Sequence, residues 1–262
     1  MTVKITCLGT GTFGDIQRRN TSFLCEIDRF SILVDCGYSV YPAAVRALGG
    51  IASLSERPNV VLLTHVHGDH TGSLPQLILM AWQYCDETKK ARHFRVLGER
   101  GAIEGAKASF EIEYPGIASK LFPLINFTVN WEAGEKWDLG FCSITSAPSV
   151  HGVENQSYRF KVGNLSFGIS GDGEMTDATR DLFRGVDLLI HEGHSVITPE
   201  RSHGSIKDVV EYAVANNVKR VALVHVHPRE RLKLVEISQI TTAAAAQGVK
   251  AWLPNDGEEI FL

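Results

Sequence analysis

The chain has 262 residues, of which 44% are hydrophobic and 21% are charged, and its formal net charge is −4. This composition is that of a globular protein and excludes an intrinsically disordered chain. The negative charge also excludes an overall basic field for binding nucleic acid, and leaves only a local basic patch open, such as residues 88–100.

The cysteines and the first residues predict the compartment. The five cysteines are an odd number and form no CxxC pair, so we expect neither a disulfide framework nor a cysteine zinc site. The N-terminus reads directly as a strand, without the apolar core of a signal peptide. No apolar run reaches the roughly 18 residues that a membrane span needs. We therefore predict a cytoplasmic protein with no membrane partner.

In the first half of the chain, β-branched runs predict strands, and apolar residues at helical spacing predict helices. In chain order we predict a strand at 3–8, a hairpin of Ser22–Ile27 with 31–35, a helix at 41–48, the strand Val60–Leu63 and a helix at 74–84. Residues 89–137 have the weakest pattern, which predicts a strand at 94–97, a helix at 102–110 and strands before Gly140. No linker rich in proline, serine or glycine divides the chain, so we predict one domain, residues 1–262.

The second half alternates more clearly between strands and helices. We predict strands at 142–147, 158–162, 165–170, 188–190 and 219–224, helices at Ile206–Ala215 and 234–246, and a final strand pair at 251–253 and 259–262. Hairpins followed by alternating strands and helices predict sheet layers flanked by helices. Residues 21–37 and 156–172 align as similar hairpins, which is a hint of two similar halves.

A cluster of polar side chains directly follows the predicted strand Val60–Leu63. It lies in the segment Thr64-His65-Val66-His67-Gly68-Asp69-His70. His65 and His67 are two positions apart, so an extended backbone directs both rings to one side. Asp69 and His70 follow where the chain turns, and Gly68 permits the turn. Imidazole and carboxylate groups are ligands for divalent zinc, manganese or iron. The segment therefore predicts a metal site.

Three further candidate ligands lie at or just after the ends of later predicted strands: His151, Asp172 and His225. Side chains at strand ends can converge at one edge of a sheet. A site for two metal ions needs more ligands than residues 64–70 supply, and these three positions provide them.

Residues 64–70 resemble the signature of the metallo-β-lactamase superfamily, and the order of the later ligands matches the two-metal order of that family. The resemblance runs from Leu8-Gly9-Thr10-Gly11 through Asp35-Cys36-Gly37 to His225. It implies an α/β fold, the αββα sandwich of two mixed sheets flanked by helices. It also implies two divalent metal ions, zinc first and manganese second. By the resemblance, the ions are held by His65, His67 and His151 on one side, by Asp69, His70 and His225 on the other, and by Asp172 as a bridge.

The later residues Gly171-Asp172, His191-Glu192, His203 with Ser205, and Val224-His225 resemble the tRNase Z-like phosphodiesterases. In that group the histidine matching His203 lies in the active site without binding metal, and contacts the phosphate or protonates the leaving oxygen. Glu192 is expected to accept a hydrogen bond from a metal-bound histidine or to orient His203. His194 and His227 match nothing in the family, and we expect them at the surface or behind the ligands.

The chain departs from tRNase Z in the arm and in the residue after the last ligand, where Pro228 follows Val226-His227 and the aromatic residue of that family is missing. His151 and Asp172 are only 21 positions apart, and one predicted hairpin fills the interval, so no room remains for the arm that grips tRNA. This spacing resembles arm-less relatives, such as the cyclic phosphate phosphodiesterase of carbon–phosphorus lyase pathways. The cysteine-rich zinc loop of that enzyme is missing, because residues 11–20 contain no cysteine.

These observations predict a metal-dependent hydrolase, foremost a phosphodiesterase that cleaves a small phosphodiester or cyclic phosphate through a metal-bridging hydroxide. Asp69 and His203 are the expected catalytic residues. A lactonase or glyoxalase II-like thioesterase is one alternative, and tRNA 3′ processing is another. Nucleic acid as a substrate and a homodimer remain open, and residues 89–137 and 196–202 are expected to set specificity.

Overall fold

Two seven-stranded sheets form the centre of the protein in a computed structural model, which describes residues 2–90, 94–130, 136–200 and 202–262. Across the first sheet the strands are β14 (Glu259–Phe261), β1 (Val3–Gly9), β2 (Ser22–Ile27), β3 (Phe30–Val34), β4 (Val60–Leu63), β5 (Phe94–Glu99) and β6 (Ile125–Asn130). Across the second they are β13 (Lys250–Trp252), β12 (Arg220–Val224), β11 (Leu188–Glu192), β10 (Leu165–Ile169), β9 (Gln156–Val162), β8 (Ser143–Pro148) and β7 (Lys136–Asp138).

The two sheets repeat one pattern of strand pairing. In the first, β1, β2 and β3 pair antiparallel, and β4, β5 and β6 follow in parallel. In the second, β8, β9 and β10 pair antiparallel, and β11, β12 and β13 follow in parallel. The aligned hairpins of the sequence, β2–β3 and β9–β10, occupy equivalent places, so the predicted similarity of the two halves is present in the topology.

Helices cover the outer face of each sheet. They are α1 (Tyr41–Ala47), α2 (Gly68–Thr71), α3 (Leu74–Thr88), α4 (Arg100–Glu113), α5 (Ala118–Leu121), α6 (Asp177–Phe183), α7 (Ile206–Ala215) and α8 (Leu234–Ala245). Short 3₁₀ segments lie at Ile51–Ser55, Phe122–Leu124 and Glu230–Leu232. Leu77 of α3 and Ile103 of α4 pack in the core outside the first sheet, and Val209 of α7 and Ile237 of α8 pack in the core outside the second.

Strand β4 shows why these runs form central strands. All four of its residues are buried, because Val61 and Leu63 face the helices while Val60 and Leu62 face the second sheet. Such a strand needs apolar residues on both faces, and a period-2 alternation of polar residues would not suit it. The layers are therefore helix, sheet, sheet and helix, which confirms the predicted αββα sandwich.

Most of the predicted elements are present, and one predicted pairing is wrong. The two last strands do not pair with each other: β13 pairs with β12 in the second sheet, while β14 pairs with β1 in the first. The sequence patterns did not predict α6, which begins at a capping box of Thr176 with Thr179. Among the described residues, no helix is both long and apolar enough to cross a membrane.

Candidate metal centre

The predicted ligands converge at one edge of the sandwich, where four strands end. His65 and His67 follow β4. His151 follows β8, Asp172 follows β10 and His225 follows β12. Asp69 and His70 lie in the single turn of α2, directly after His67. The structure therefore brings together all seven side chains that the sequence singled out.

Three imidazole nitrogens form the first half of this cluster. His67 Nδ1 lies 3.2 Å from His65 Nε2 and 3.2 Å from His151 Nε2. The opposite nitrogens of the outer two rings are occupied: His65 Nδ1 lies 3.0 Å from the Thr64 hydroxyl, and His151 Nδ1 lies 3.4 Å from the Ser202 carbonyl. His151 Nδ1 must donate to that carbonyl, so its Nε2 presents a lone pair to the cluster.

Carboxylates and two further imidazoles form the second half. His70 Nε2 lies 3.6 Å from Asp69 Oδ2 and 3.4 Å from Asp172 Oδ1. His225 Nε2 lies 3.5 Å from Asp69 Oδ2 and 3.3 Å from Asp172 Oδ2. Two atoms bound tetrahedrally to one ion at about 2.0–2.2 Å lie roughly 3.3–3.6 Å apart, so these spacings suit a shared cation.

Asp172 stands between the two halves. Its Oδ2 also lies 3.8 Å from His65 Nε2 and 4.0 Å from His151 Nε2. The same carboxylate therefore reaches both groups of nitrogens, which is the position that a bridging ligand requires.

Two observations test whether these residues fit a metal ion. His70 Nε2 and Asp172 Oδ1 are buried and have no hydrogen-bond partner among the described residues, an expensive arrangement for polar atoms that nothing satisfies. In the other half, lone pairs of His65 and His151 converge on His67 Nδ1, which has at most one proton to donate. A cation satisfies such atoms in both halves, so the donor set fits a metal ion in each half.

The pKa shifts of the clustered residues agree with side chains that can donate electron pairs to a metal ion. Burial, with a smaller contribution from the charge of His70, holds the pKa of His65 well below its usual range, so its imidazole is neutral. Burial raises the pKa of Asp172, but the histidines around it outweigh burial and hold that pKa well below the usual range. His70 differs, because Asp172 and Asp35 outweigh burial and hold its pKa well above the usual range. A metal ion would therefore displace a proton from His70.

Asp35 is a functional residue that the residue patterns did not assign. It follows β3 and is buried, and its Oδ2 accepts hydrogen bonds from His70 Nδ1 at 2.7 Å and from the Thr64 hydroxyl at 2.8 Å. Its left-handed backbone, with φ of 59°, is uncommon outside glycine. The segment Asp35-Cys36-Gly37 carried the family resemblance, and that was the available signal.

Glu192 takes the second of the two roles expected for it. Its Oε1 accepts hydrogen bonds from His203 Nδ1 at 3.0 Å and from the Gly173 and Gly204 amides at 2.6 and 3.0 Å. Its Oε2 stays 3.9 Å from His225 Nδ1, beyond hydrogen-bond reach. Burial lowers the pKa of His203, but the hydrogen bond to Glu192 and the charges of Glu192, Asp172 and Asp69 together outweigh burial and leave the pKa raised.

The remaining histidines divide into two groups. His194 and His227 line the same pocket as the metal cluster, and the His194 ring stacks on His203 with centroids 4.5 Å apart. Burial and the neighbouring histidines lower the pKa of His194 to about 4. His191 is buried and directs Nδ1 to the Glu192 carbonyl at 2.7 Å. His93 lies outside the described residues.

The pocket over the cluster has a volume of about 510 Å³ and is lined by Thr12, Phe13, Gly14, His67, Gly68, Asp69, Asp172, His194, His203, His225, His227 and Pro228. Sequence reasoning missed residues 12–14, which follow the glycine-containing end of β1. Neither of the segments expected to set specificity supplies a described residue to this pocket. Residues Glu99 and Arg100 line a neighbouring cavity together with His151.

Two glycines allow the ligand segment to lie close to its neighbours. A Cβ on Gly37 would stand 1.8 Å from the Asp69 carbonyl oxygen, and a Cβ on Gly68 would stand 2.1 Å from the Tyr38 hydroxyl. At Gly37 the obstacle is the Asp69 backbone, so this position needs glycine. At Gly68 the obstacle is the exposed Tyr38 side chain, which would have to shift to make room for a Cβ.

Comparison with known proteins places this geometry in a family. Ribonuclease Z from Mycobacterium bovis (strain BCG / Pasteur 1173P2) is 26% identical over 267 residues, covering 98% of this chain and 90% of that protein. The metallo-β-lactamase fold protein YhfI from Bacillus subtilis superimposes with a TM-score of 0.78 at 17% identity, over 100% of both chains. A diphosphatase of the PhnP family superimposes with a TM-score of 0.73 at 18% identity, over 100% of this chain and 98% of that one. These two likenesses show the fold.

The sequence profile described as Beta-lactamase superfamily domain matches residues 31–226, which is most of the chain. That range contains most of β3, the strands β4 to β12 and all seven predicted ligands. The protein therefore belongs to the β-lactamase superfamily, as a metallo-hydrolase.

Proposed function

We propose that this protein is a phosphodiesterase that uses two divalent metal ions to hydrolyse a small phosphodiester or a cyclic phosphate. The observation that carries the proposal is the pair of His203 and Glu192 beside the metal cluster. His203 lines the pocket together with Asp69 and Asp172, and a buried carboxylate fixes its Nδ1. Its other nitrogen, Nε2, would contact the substrate.

Seven residues would hold the two ions. His65, His67 and His151 surround one position, Asp69, His70 and His225 surround the other, and Asp172 reaches both. Zinc is the first choice because imidazole ligands dominate, and manganese is the second. When bound, such ions lower the pKa of water so that hydroxide is available near neutral pH, and they offset the charge of the phosphate oxygens.

His203 would act on the leaving group. The Glu192 carboxylate keeps a proton on Nδ1 and raises the pKa of the ring, which favours an imidazolium whose Nε2 proton can pass to the departing alkoxide. Such a general acid contributes about 10²–10⁴-fold to the rate. Asp69 lines the same pocket and is anionic at neutral pH: burial raises its pKa, but His225 and His70 outweigh burial. It would accept the proton of the attacking water.

Carboxyl-ester chemistry remains the first alternative, because lactonases and thioesterases of the superfamily use a similar metal site. His203 argues against it, since those reactions do not need this histidine. The curated relatives named Ribonuclease Z favour tRNA 3′ processing as the second alternative. The single hairpin β9–β10 between His151 and Asp172 leaves no arm for gripping tRNA.

A substrate panel separates these functions. The zinc and manganese forms would be assayed with bis-p-nitrophenyl phosphate, a lactone and a thioester, and we expect turnover of the phosphodiester. His203→Ala should keep its metal and slow turnover by about 10²–10⁴-fold, whereas Arg229→Ala, an exposed change outside the pocket lining, should match the parent. Full turnover in His203→Ala, or hydrolysis of only the lactone or thioester, would contradict the proposal.

We also propose that the protein acts in the cytoplasm. Its five cysteines are buried and unpaired, as expected for a reducing compartment. A homodimer remains a prediction from the family resemblance.

A further inference from the structure

The loop between β1 and β2 places an exposed phenyl ring at the active-site pocket. Phe13 lines the pocket and is 72% exposed, among the largest exposures of any apolar side chain described here. The rest of the lining is imidazole, carboxylate, threonine, glycine and one proline. Phe13 is therefore the one phenyl surface that the described lining offers to a substrate.

Buried polar contacts hold this loop in place. Asp15, only two positions beyond Phe13, has a side chain that is 1% exposed and forms an ion pair with Arg231. Its other oxygen accepts hydrogen bonds from the amides of Gln17 at 2.9 Å and Arg18 at 3.2 Å. Arg231 also donates to the Val226 carbonyl at 3.2 Å, which ties the loop to the residue after His225.

The preceding residues are fixed to the same strand end. The His225 amide donates to the Thr10 carbonyl at 3.0 Å. Asn20 is buried and donates from its side chain to the Thr12 carbonyl at 3.2 Å. Phe13 is thus bracketed by anchored residues, so its ring has a defined place relative to the metal cluster. Because Phe13 lines the same pocket as Asp69, Asp172 and His203, a ligand bound over the metal cluster would meet its ring.

We infer that Phe13 is a stacking platform for a nucleobase, so that the substrate is a nucleotide whose base lies beside the scissile phosphate. This inference rests on the proposed phosphodiesterase function and narrows its substrate class. A phenyl face stacks on any planar base and gains much less from a sugar phosphate that lacks one. The pocket of about 510 Å³ falls in the usual range for small-molecule sites.

The test compares two substrates in three variants. The substrates are a nucleoside 2′,3′-cyclic phosphate and the base-free cyclic phosphate of ethylene glycol, and the readout is the ratio of their kcat/KM values. Phe13→Ala should lower this ratio by roughly 5- to 150-fold, mainly through KM, because stacking on one base contributes that much. Phe13→Trp should restore the ratio. Ile16→Ala is the matched control, because Ile16 is 98% exposed in the same loop but does not line the pocket.

A binding measurement separates this inference from the proposed function. Calorimetric titration with adenosine monophosphate and with ribose 5-phosphate needs no turnover. Weaker binding of only the adenosine compound in Phe13→Ala supports the platform, even if no phosphodiester is hydrolysed and the proposed function fails. An unchanged substrate ratio with unchanged adenosine monophosphate binding in Phe13→Ala overturns the platform, even if phosphodiesters are hydrolysed.

Discussion

The Asp35 carboxylate accepts a 2.7 Å hydrogen bond from His70 Nδ1, and this contact fixes which nitrogen of His70 faces the metal cluster. The same oxygen accepts a bond from the Thr64 hydroxyl at 2.8 Å. Because that hydroxyl proton is committed to Asp35, its oxygen accepts from His65 Nδ1 at 3.0 Å. One buried carboxylate therefore orients a histidine in each half of the cluster, and both histidines direct Nε2 into the cluster.

Replacing Asp35 with asparagine should weaken metal binding by about 10- to 100-fold, because the side chain keeps its size but loses the charge that orients His70. Competition with a chromophoric chelator measures the affinity. Asp86→Asn, an exposed change on α3, is the control. Equal affinities in the two variants would show that Asp35 has no part in holding the ligands.

Replacing Glu192 with glutamine should lower kcat by about 10- to 100-fold while the metal content stays unchanged. Glu192 raises the pKa of His203, so losing the carboxylate charge should lower that pKa. The protonated form is then lost at a lower pH, and the alkaline limb of the kcat profile should move to lower pH. An alkaline limb at the same pH in Glu192→Gln and in the parent would show that His203 does not take part in the proton transfer.

The ion pairs of Glu26 should make stability depend on pH. Burial raises the pKa of this carboxyl, but hydrogen bonds from Lys4 and Arg57 outweigh burial and leave the pKa lowered. A depressed folded-state pKa contributes stability above the unfolded pKa, and that contribution is lost as the pH falls through the folded pKa. Glu26→Gln should therefore lower the free energy of unfolding by about 1 kcal/mol at pH 7.

This difference should shrink as the pH falls below the unfolded-state pKa of about 4.3, and it should vanish below the lowered folded-state pKa, where Glu26 is protonated in both states of the parent. Urea unfolding of the two proteins at several pH values measures it. If the difference in the free energy of unfolding stayed constant across the acid range, it would arise from packing and not from the charge of Glu26.

Replacing Gly37 with alanine should destabilise the fold by about 3 kcal/mol, because the new Cβ would collide with the Asp69 backbone. Displacing Asp69 should also lower the bound metal. Gly14→Ala is the matched control, since nothing lies within 4 Å of a Cβ there. Thermal unfolding and elemental analysis of both variants give the two readouts, and equal stability of the variants would contradict the close approach.

The parts of the structure that sequence predicted are those that depend on local patterns. Strand β4 is predicted at its full length because its burial on both faces requires a continuous apolar run. Residues 64–70 predicted a site because the ligands lie close together in sequence. Pairing of β14 with β1 could not be predicted from spacing, since it joins residues at opposite ends of the chain.

Residues of the site that are far apart in the sequence could not be related to one another by local patterns either. Asp69 and His225 are 156 positions apart, and only their positions near strand ends and the family resemblance connected them before the structure placed their side-chain atoms 3.5 Å apart. The roles of Asp35 and Phe13 depend on loops that fold against distant segments. A single aspartate or phenylalanine in a loop carries no local pattern that distinguishes these roles.

The number of metal ions per chain tests the central claim most directly. After reconstitution with zinc and removal of excess metal, elemental analysis should find two ions per chain in the parent protein. Asp172→Ala should lose metal, because this carboxylate reaches both halves of the cluster. Fewer than one ion per chain in the reconstituted parent would contradict the assignment of these seven side chains as ligands.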